Sequence, residues 1–508
     1  MIPAARPLDH LTAGGAPSDI AIVLRSETLT YCELDRRVGL MAGWLAQRFD
    51  LGDRIASWAA KNLTTCLLPL ACARAGLVHV PINPVLKHAQ AAHILADSGA
   101  RFLVGNDARL RSLHGRDVPV NCTIETDARF VEQAIAHGHH LHRSNHDPES
   151  LAAILYTSGS TGMPKGVMLS HANMWLGAVS VARYLELGAQ DRVLGVLPLA
   201  FDYGQNQLFS TWYAGGTVIP YDYLMAKDVA KACERHRVTT LAGVPPLWSQ
   251  LLEAEWSDAA KASLRRLTNS GGALTETMVW QLRETFPNAD LYPMYGLTEA
   301  FRSTYLPPRL VDEFPTSMGK AVPHAEVLVV RPDGSLAADG EEGELVHCGP
   351  LVAQGYWQDA RRTAKRFRPA PAASRYGGTA VWSGDTVRRE ANDLLYFVAR
   401  SDAMIKTAGN RVSPQEIEVG LIASGMVSDT VAFGAPDDRL GQAVHAAIVP
   451  IEGKEISDRQ LLDAARVHLP NYMLPKYVHS YLQFPLNPNG KIDRARIILE
   501  CLEGIGKP

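Results

Sequence analysis

A chain of 508 residues is too long for one ordinary domain, because compact domains average about 150 residues. The composition, 46% hydrophobic and 20% charged, is that of a globular protein and excludes disordered and fibrous architectures. The 50 Lys and Arg residues against 53 Asp and Glu give a net charge of −3. No long basic run accompanies that balance, so nucleic-acid binding is disfavoured.

The N-terminal region predicts neither a membrane span nor a signal peptide. Its most apolar run, LLPLACARAGLVHVPI, is interrupted by Arg74 and His79 well before the roughly 18 residues that a span needs. The opening MIPAARPLDHL has no apolar core of signal-peptide length. The 7 cysteines are odd in number, scattered and without a CxxC pair, which is typical of free thiols in a reducing compartment. We therefore predict a cytoplasmic protein without membrane insertion.

Short runs rich in Val, Ile and Leu alternate with helical patterns along most of the chain. Examples are predicted strands at 101–107 (RFLVGND), 151–157 (LAAILYT), 216–221 (GTVIPY) and 326–332 (EVLVVRP). Continuous apolar strands separated by helices are typical of sheets that are covered on both faces. The pattern predicts an α/β fold.

One histidine-rich segment, AHGHHLHRSNHDP at 136–148, allows two interpretations. It could bind a metal, as histidine tracts do. It could also be an exposed connector, which Gly138, Asn145 and Pro148 favour because nothing nearby predicts a strand or helix that would fix the histidines.

The sequence pattern changes near residue 400, after LLYFVAR. The tail has its own βαβ-like alternation, from VAFGAP through AAIVPI to a predicted helix in SDRQLLDAARVHL. We predict a domain of residues 1–400, a hinge at 401–402 and a second domain of residues 403–508.

The strongest motif is LAAILYTSGSTGMPKGVMLSHANM at 151–174, where a buried strand runs into a loop of Ser, Thr and Gly. Glycines in such a loop leave backbone amides open to an anion, and hydroxyls and a lysine add donors and charge. It is not a Walker A motif, because Pro164 precedes the lysine and no Ser or Thr follows. A flexible Ser/Gly turn is the weaker alternative. The predicted triphosphate contacts are Thr157, Ser158, Gly159, Ser160, Thr161, Gly162 and Lys165.

This loop resembles the phosphate-loop signature of the adenylate-forming superfamily, which includes acyl-CoA synthetases, luciferases and the adenylation domains of nonribosomal peptide synthetases. The family's later signatures have counterparts in the same order: SGGALT (270–275), MYGLTEA (294–300), GELVHCGPLVAQGYW (343–357), WSGDTVRRE (382–390), FVARSD (397–402) and PNGKIDR (488–494). The resemblance implies an AMP-forming acid–thiol ligase that uses ATP and Mg²⁺. It also implies a large N-terminal domain of doubly covered mixed sheets with a β-subdomain, followed by a small mobile α+β domain.

Nucleotide contacts follow from the resemblance. It implies phosphate contact by Thr298 and magnesium binding by Glu299 with Thr161, although Glu299 alone would more often be a helix N-terminal acid. Asp385 would contact the ribose, and Arg400 would contact the ribose or a phosphate; their alternatives are a turn-forming acid and a surface ion pair. The implied adenine-site residues are Gly271, Gly272, Ala273, Tyr295 and Gly296.

The C-terminal motif and the hinge are also assigned by the resemblance. Lys491, in PNGKIDR, would be the catalytic lysine, since a compact cation stabilises two anions that approach each other at the α-phosphate of ATP. Asp402 falls where the family places its hinge, which would let the small domain pivot.

The substrate is indicated by Phe201-Asp202, which resembles the pair of amino-acid adenylation domains whose Asp binds the substrate ammonium. Asp202 could instead cap the helix that starts at Tyr203. Arg302 either binds an acidic side chain or pairs with Asp202 and removes the amino-acid argument. The other implied pocket residues are Tyr203, Asn206, Gly243, Thr268, Ser270, Met294 and Ser303.

The run YGLTEAFRSTYLPP is similar to exosortase-associated ligases and to free-standing prolyl-carrier-protein ligases, so a small amino or imino acid, proline among them, is expected. Because the chain ends soon after the Lys491 motif, we expect transfer to the phosphopantetheine of a separate carrier protein or to coenzyme A. Ala408 stands where many luciferase-like enzymes have a lysine. The alternatives are a CoA ligase for acids without an amino group and a non-catalytic nucleotide-binding scaffold. The scaffold is disfavoured because no expected nucleotide-site residue is missing.

Overall fold

The computed structural model describes residues 2–157, 164–274, 276–400, 405–412, 414–451, 456–485 and 493–505. The side chains of residues 246, 399, 400, 411, 415 and 495 lie outside this description.

The chain folds into alternating strands and helices. The strands are β1 (Ile20–Val23), β2 (Thr28–Thr30), β3 (Arg54–Trp58), β4 (Val78–Pro81), β5 (Phe102–Gly105), β6 (Thr123–Thr126), β7 (Leu151–Thr157), β8 (Lys165–Ser170), β9 (Arg192–Gly195), β10 (Thr217–Pro220), β11 (Thr240–Gly243), β12 (Arg266–Asn269), β13 (Asp290–Tyr295), β14 (Thr304–Tyr305), β15 (Lys320–Ala321), β16 (Glu326–Val330), β17 (Glu342–Cys348), β18 (Gly355–Tyr356), β19 (Phe367–Pro369), β20 (Thr379–Arg389), β21 (Leu395–Arg400), β22 (Ile405–Thr407), β23 (Asn410–Val412), β24 (Val427–Asp437), β25 (Gly441–Pro450) and β26 (Tyr477–Ser480).

The α-helices are α1 (Tyr31–Ala46), α2 (Leu63–Ala75), α3 (His88–Ser98), α4 (Asp107–Leu110), α5 (Asp127–His137), α6 (His171–Tyr184), α7 (Asp202–Tyr213), α8 (Ala226–His236), α9 (Pro245–Leu252), α10 (Asp258–Ser263), α11 (Glu276–Thr285), α12 (Ala360–Arg366), α13 (Pro414–Ala423), α14 (Asp458–Ala465) and α15 (Arg494–Ile505). The 3₁₀ helices span Leu8–Ala13, Gly115–Asp117, Thr298–Ala300, Pro308–Leu310 and Asn471–Met473.

Two large mixed sheets form the N-terminal part. One has the strand order β15-β14-β13-β12-β11-β9-β10-β1-β2, and the other β18-β8-β7-β4-β3-β5-β6. Strands β9 to β13 pair in parallel, because a helix separates most successive strands along the chain. A shared apolar core, which includes Leu67, Leu155 and Phe209, joins the helices to both sheets. The predicted α/β fold is confirmed, and the four example strands appear as β5, β7, β10 and β16.

Two smaller sheets follow. In the first, β16-β17-β20-β19 are joined by β21 on β20, and in the second, β23-β22-β25-β24 are joined by β26 on β25. The second sheet packs with α13 and α14 around a separate core that includes Ile417 and Leu461. The predicted βαβ alternation of the tail holds for β25–α14–β26, which is parallel. Strands β24 and β25 instead form an antiparallel hairpin, because their connection is too short for a crossover.

The histidine-rich segment is an irregular connector after α5. It crosses α1 at two glycines: a Cβ at Gly39 would lie 2.3 Å from His140 Nε2, and one at Gly43 would lie 1.9 Å from the His139 carbonyl oxygen. The expectation that no nearby element fixes the histidines is therefore wrong. The cysteines are free thiols, and all but Cys32 are buried. None of the helices in the described part of the chain combines the length and the apolar character that crossing a membrane requires.

Candidate active site

A cavity of about 440 Å³ lies among the loops that follow strands of both large sheets. Thr157, at the end of β7, and Lys165, at the start of β8, line it on one side. Thr298 and Glu299, in the 3₁₀ helix after β13, line it on another. The structure therefore brings together four residues that the sequence assigned to phosphate and magnesium.

Thr157 and Lys165 are direct partners across the β7–β8 pair. The Thr157 hydroxyl is buried and has no hydrogen-bond partner among the described residues, so it remains available to a ligand in the cavity. The other predicted loop contacts, Ser158, Gly159, Ser160, Thr161 and Gly162, lie outside the described residues. Their phosphate contacts stay predictions.

Lys165, Glu299 and Tyr356 form a polar cluster at this end of the cavity. Lys165 Nζ lies 3.2 Å from Glu299 Oε1 and donates to the Tyr356 hydroxyl at 2.9 Å. That hydroxyl donates to Glu299 Oε1 at 2.6 Å. Burial, with the nearby negative charge of Glu299, raises the pKa of Tyr356, so the phenol stays protonated. Tyr356 belongs to a matched motif, but its role was not foreseen because the contact joins residues far apart in sequence.

Glu299 fits a magnesium ion on the chemistry of its surroundings. Its carboxylate is a hard oxygen donor that is almost fully buried, and magnesium in nucleotide sites uses one or two carboxylates plus phosphate oxygens. The cavity that it lines has room for those phosphates.

The predicted adenine turn follows β12. Gly271 adopts φ +81°, a conformation that favours glycine, and Gly272 and Ala273 follow it. Tyr295, at the end of β13, donates a hydrogen bond from its hydroxyl to the Asp385 carboxylate. A Cβ on Gly296 would lie 3.1 Å from Arg302 Cα, so the glycine allows a close approach of the chain there.

The sequence predicts that Asp385 lies in a turn, but the residue lies inside strand β20. The register of β17 against β20 shifts between Glu344 and Val346, which places the bulged residues 383–385 opposite a single residue. Gly384, in this bulge, has φ +66°, and a glycine at such a position looks like part of a turn in the sequence. Asp385 is fully buried and lies directly opposite Arg400 on β21. The Arg400 side chain lies outside the described part of the chain.

Asp202 is the first residue of α7, whose N-cap is Phe201, and no side chain caps this helix. The Asp202 carboxylate is buried; its Oδ1 lies 3.5 Å from the Thr298 hydroxyl, and its Oδ2 lies 3.9 Å from Arg302 Nη1. Burial raises the pKa of Asp202, and the positive charge of Arg302 opposes that rise. The structure shows the predicted contact of Arg302 with Asp202, which is made by Nη1; binding of an acidic substrate side chain by Arg302 stays a prediction.

Arg302 connects several of the predicted pocket residues. Its Nη1 donates to the Ser270 hydroxyl at 3.3 Å, and its guanidinium lies 4.7 Å from the centre of the Tyr203 ring. The Tyr203 and Thr268 hydroxyls are 2.6 Å apart.

The remaining predicted pocket residues lie in different surroundings. Asn206 and Met294 line a second, much smaller cavity of about 20 Å³ together with Tyr203, Thr268 and Arg302. Ser303 lies 3.0 Å from His347 Nδ1, and a Cβ on Gly243 would lie 2.6 Å from the Trp248 ring.

The C-terminal part of the chain also lines the large cavity. Ala408 and Gly409, both with positive φ, form the tip of the β22–β23 hairpin. A Cβ on Gly409 would lie 2.7 Å from Val244, so the tip packs closely beside the adenine turn. Gln90 on α3 donates to Glu416 on α13 at 2.9 Å. Glu416 was not foreseen as a site residue.

Two predicted residues of this part, Lys491 and the hinge residue Asp402, lie outside the described residues. Strand β21 ends at Arg400 and β22 begins at Ile405. The domain boundary at 400–402 and the role of Lys491 stay predictions.

Two protein-family models match most of the chain. The family model described as AMP-binding enzyme matches residues 10–357, and the one described as AMP-binding enzyme C-terminal domain matches residues 416–491. Feruloyl-CoA synthase of Amycolatopsis sp is 30% identical over 488 residues, which cover 95% of this chain and 96% of that protein. Gramicidin S synthase 2 of Aneurinibacillus migulanus is 28% identical over 492 residues, but this chain spans only 11% of that protein's length.

Two solved complexes of o-succinylbenzoate CoA synthetase (MenE) from Bacillus subtilis are similar in structure. Each is 25% identical and aligns over 97% of this chain and 98% of its own. The TM-score is 0.83 for a double mutant bound with the product analogue OSB-NCoA, and 0.70 for the complex with the acyl-adenylate intermediate OSB-AMP.

Proposed function

We propose that this chain, which belongs to the family of AMP-binding enzymes, activates a small amino acid and transfers it to a pantetheine thiol. Its relatives in that family are AMP-forming ligases. The substrate carboxylate attacks the α-phosphorus of ATP, an acyl–phosphate bond forms, and pyrophosphate leaves. The thiolate then attacks the acyl carbon, a thioester forms, and AMP leaves with the former carboxylate oxygen.

The observation that carries this proposal is the buried carboxylate of Asp202 beside the reaction cavity. It lies 3.5 Å from Thr298, which lines that cavity with Glu299 and Lys165. A carboxylate removed from water is stabilised by a cationic partner. Arg302 approaches Asp202 only to 3.9 Å, and burial still raises the pKa of Asp202, so a substrate ammonium would supply a closer cation next to the reacting carboxylate.

Residues of the large cavity would handle the nucleotide. Thr157 and Lys165 offer a hydroxyl and a cation to phosphate oxygens, and Thr298 would contact the α-phosphate. A magnesium ion held through Glu299 would neutralise phosphate charge during pyrophosphate departure. Asp385, opposite Arg400, would accept hydrogen bonds from the ribose. We assign Lys491 the role of stabilising the charge that develops as the two anions approach.

The second half-reaction would use the arrangement that the structure presents. The hairpin tip at Gly409 lies against Val244 and the adenine turn, and Glu416 contacts α3. The higher TM-score to the product-analogue complex of MenE than to its acyl-adenylate complex supports a thiol-transfer arrangement. The proposed domains, residues 1–400 and 403–508, would move about Asp402 to exchange Lys491 for this hairpin.

A second candidate is a CoA ligase whose acid has no amino group. The contact between Arg302 and Asp202 favours it, because it already gives the buried carboxylate a cation. The 30% identity to a feruloyl-CoA synthase is consistent with this function.

ATP–pyrophosphate exchange with two pools, the protein amino acids and plain carboxylic acids, tests the proposal. Exchange with an amino acid, followed by thioester formation on a carrier protein or coenzyme A, is expected. Asp202→Asn should then raise KM for the amino acid far more than for ATP. Asp222→Asn serves as the matched control, because it removes a carboxylate that lines the large cavity and pairs with Lys61. Exchange with plain acids alone would select the second candidate, and no exchange in either pool would favour the nucleotide-binding scaffold.

A further inference from the structure

Arg302 is buried with much of its hydrogen-bonding capacity unused. Its side chain is 2% exposed, and Nε and Nη2 are buried without a hydrogen-bond partner among the described residues. Buried polar groups are nearly always hydrogen-bonded, and a guanidinium cannot lose its charge to avoid the cost. Among the described residues, the Nε and Nη2 donors of Arg302 are therefore available to an acceptor that enters the pocket.

The two unsatisfied nitrogens lie on one edge of the guanidinium. Nη1 is the nitrogen that contacts Ser270 and Asp202, and the ring of Tyr203 covers one face. The Nε–Nη2 edge presents two nearly parallel N–H groups, which match the two oxygens of a carboxylate.

The backbone immediately before Arg302 is strained. Phe301 has φ 61° and ψ −63°, and the Arg302 amide donates to the Ala300 carbonyl at 2.6 Å, which together define a γ-turn of the rare positive-φ type. Such conformations persist only where the surrounding structure enforces them, and they concentrate at functional sites. Here the turn, which follows Thr298 and Glu299 in the chain, places Arg302 in the wall of the small cavity.

A few polar groups lie beside Arg302 in a small cavity whose wall is otherwise mostly apolar. The cavity of about 20 Å³ is also lined by Asn206, Gln207 and Thr240, each with a buried oxygen that has no hydrogen-bond partner among the described residues. This volume holds one water-sized group. Met294, an unbranched and adaptable side chain on its wall, can move to admit a larger one.

We infer that the substrate carries a second carboxylate, which binds the Nε–Nη2 edge of Arg302. This inference rests on the proposed adenylating function. Because Asp202 lies within 4 Å of both Thr298 and Arg302, the two carboxylates of the substrate are close together, as in a short dicarboxylic acid. An α-amino group beside Asp202 would pair each substrate charge with an opposite protein charge, which describes an acidic amino acid.

Matched five-carbon acids separate the two recognition elements in ATP–pyrophosphate exchange: glutamate, norvaline, glutarate and valerate. Comparing acids with and without the second carboxylate tests Arg302, and comparing acids with and without the amino group tests Asp202. We expect the second carboxylate to raise kcat/KM by roughly 10²-fold or more, because a site that hydrogen-bonds a polar group rejects its absence strongly. The straight-chain acids from malonate to adipate, with their α-amino and monocarboxylic counterparts, extend the comparison to other lengths.

Exchange that is equal or better with the monocarboxylic partner overturns the inference and leaves the adenylating function standing. No exchange with any of the dicarboxylic acids also overturns it. Arg302→Met should reverse the preference towards norvaline or valerate. Since this change leaves Asp202 buried without its cation, the double variant Asp202→Asn/Arg302→Met provides a second test. It should lose the effect of the second carboxylate while retaining its fold by circular dichroism.

Discussion

Glu416 links the C-terminal part of the chain to α3, and its protonation should control that contact. Burial raises the pKa of the Glu416 carboxyl from 4.5 to about 7. We call the arrangement in which Glu416 contacts α3 the docked arrangement. At about 1.4 kcal/mol per pKa unit, ionised Glu416 costs this arrangement up to about 3 kcal/mol relative to a solvent-exposed carboxylate. The docked arrangement binds a proton more tightly, so docking is most favourable below pH 4.5, weakens as pH rises towards 7, and stays weakened above it.

Glu416→Gln replaces the protonated carboxyl by a neutral isostere that still accepts from Gln90. At pH 8 the variant should favour docking by up to about 3 kcal/mol, roughly 10²-fold in the equilibrium constant for docking. Hydrogen exchange of the hairpin residues 405–412 measures the change in docking. The variant and the wild type are compared at the same pH, because exchange itself depends on pH. The difference should shrink towards pH 5. Asp429→Asn removes an exposed carboxyl of the same part of the chain and should change nothing. Equal or lower protection in Glu416→Gln at pH 8 would refute the reasoning.

Three further substitutions test single residues, two of them by separating the half-reactions. Lys491→Ala should slow adenylate formation roughly 10²- to 10³-fold while leaving thiol transfer from supplied acyl-adenylate largely intact, and equal loss in single-turnover assays of both steps would count against the alternating-domain proposal. Asp202→Asn should raise KM for the amino acid by at least roughly tenfold, the loss of one modest charged contact, with KM for ATP unchanged; parallel changes in the two would make Asp202 structural. Gly409→Val should impair thiol transfer but not pyrophosphate exchange, because its side chain would meet Val244. The control is Gly425→Val, at another positive-φ glycine where a Cβ would meet no atom within 4 Å. Similar transfer rates in the two variants would contradict the packing argument.

Much of the fold followed from local sequence. Strand β7 appears within the limits that its apolar run predicts, because a buried strand needs continuous apolar residues and the polar loop marks its end. Asp385 was placed in a turn because a glycine inside a bulge gives the same local signal as a loop.

The site was less predictable where distant residues meet. The sequence identified both Asp202 and Arg302 but could not decide whether they pair, since the answer depends on the γ-turn at Phe301, which leaves no mark in residue types. Glu416 was missed because its partner, Gln90, lies 326 residues away. Tyr356 was missed for the same reason, as Glu299 and Lys165 reach it from other strands and loops.

The central claim is that the substrate carboxylate is activated by direct attack on the α-phosphorus of ATP. Single-turnover reaction of a carboxylate labelled with ¹⁸O, with ATP and a pantetheine thiol, tests it most directly by mass spectrometry. The account predicts one labelled oxygen in AMP and none in pyrophosphate, because the bridging oxygen of the acyl-adenylate leaves with AMP. Label in inorganic phosphate with ADP as the product, or thioester formation with unlabelled AMP, would contradict it.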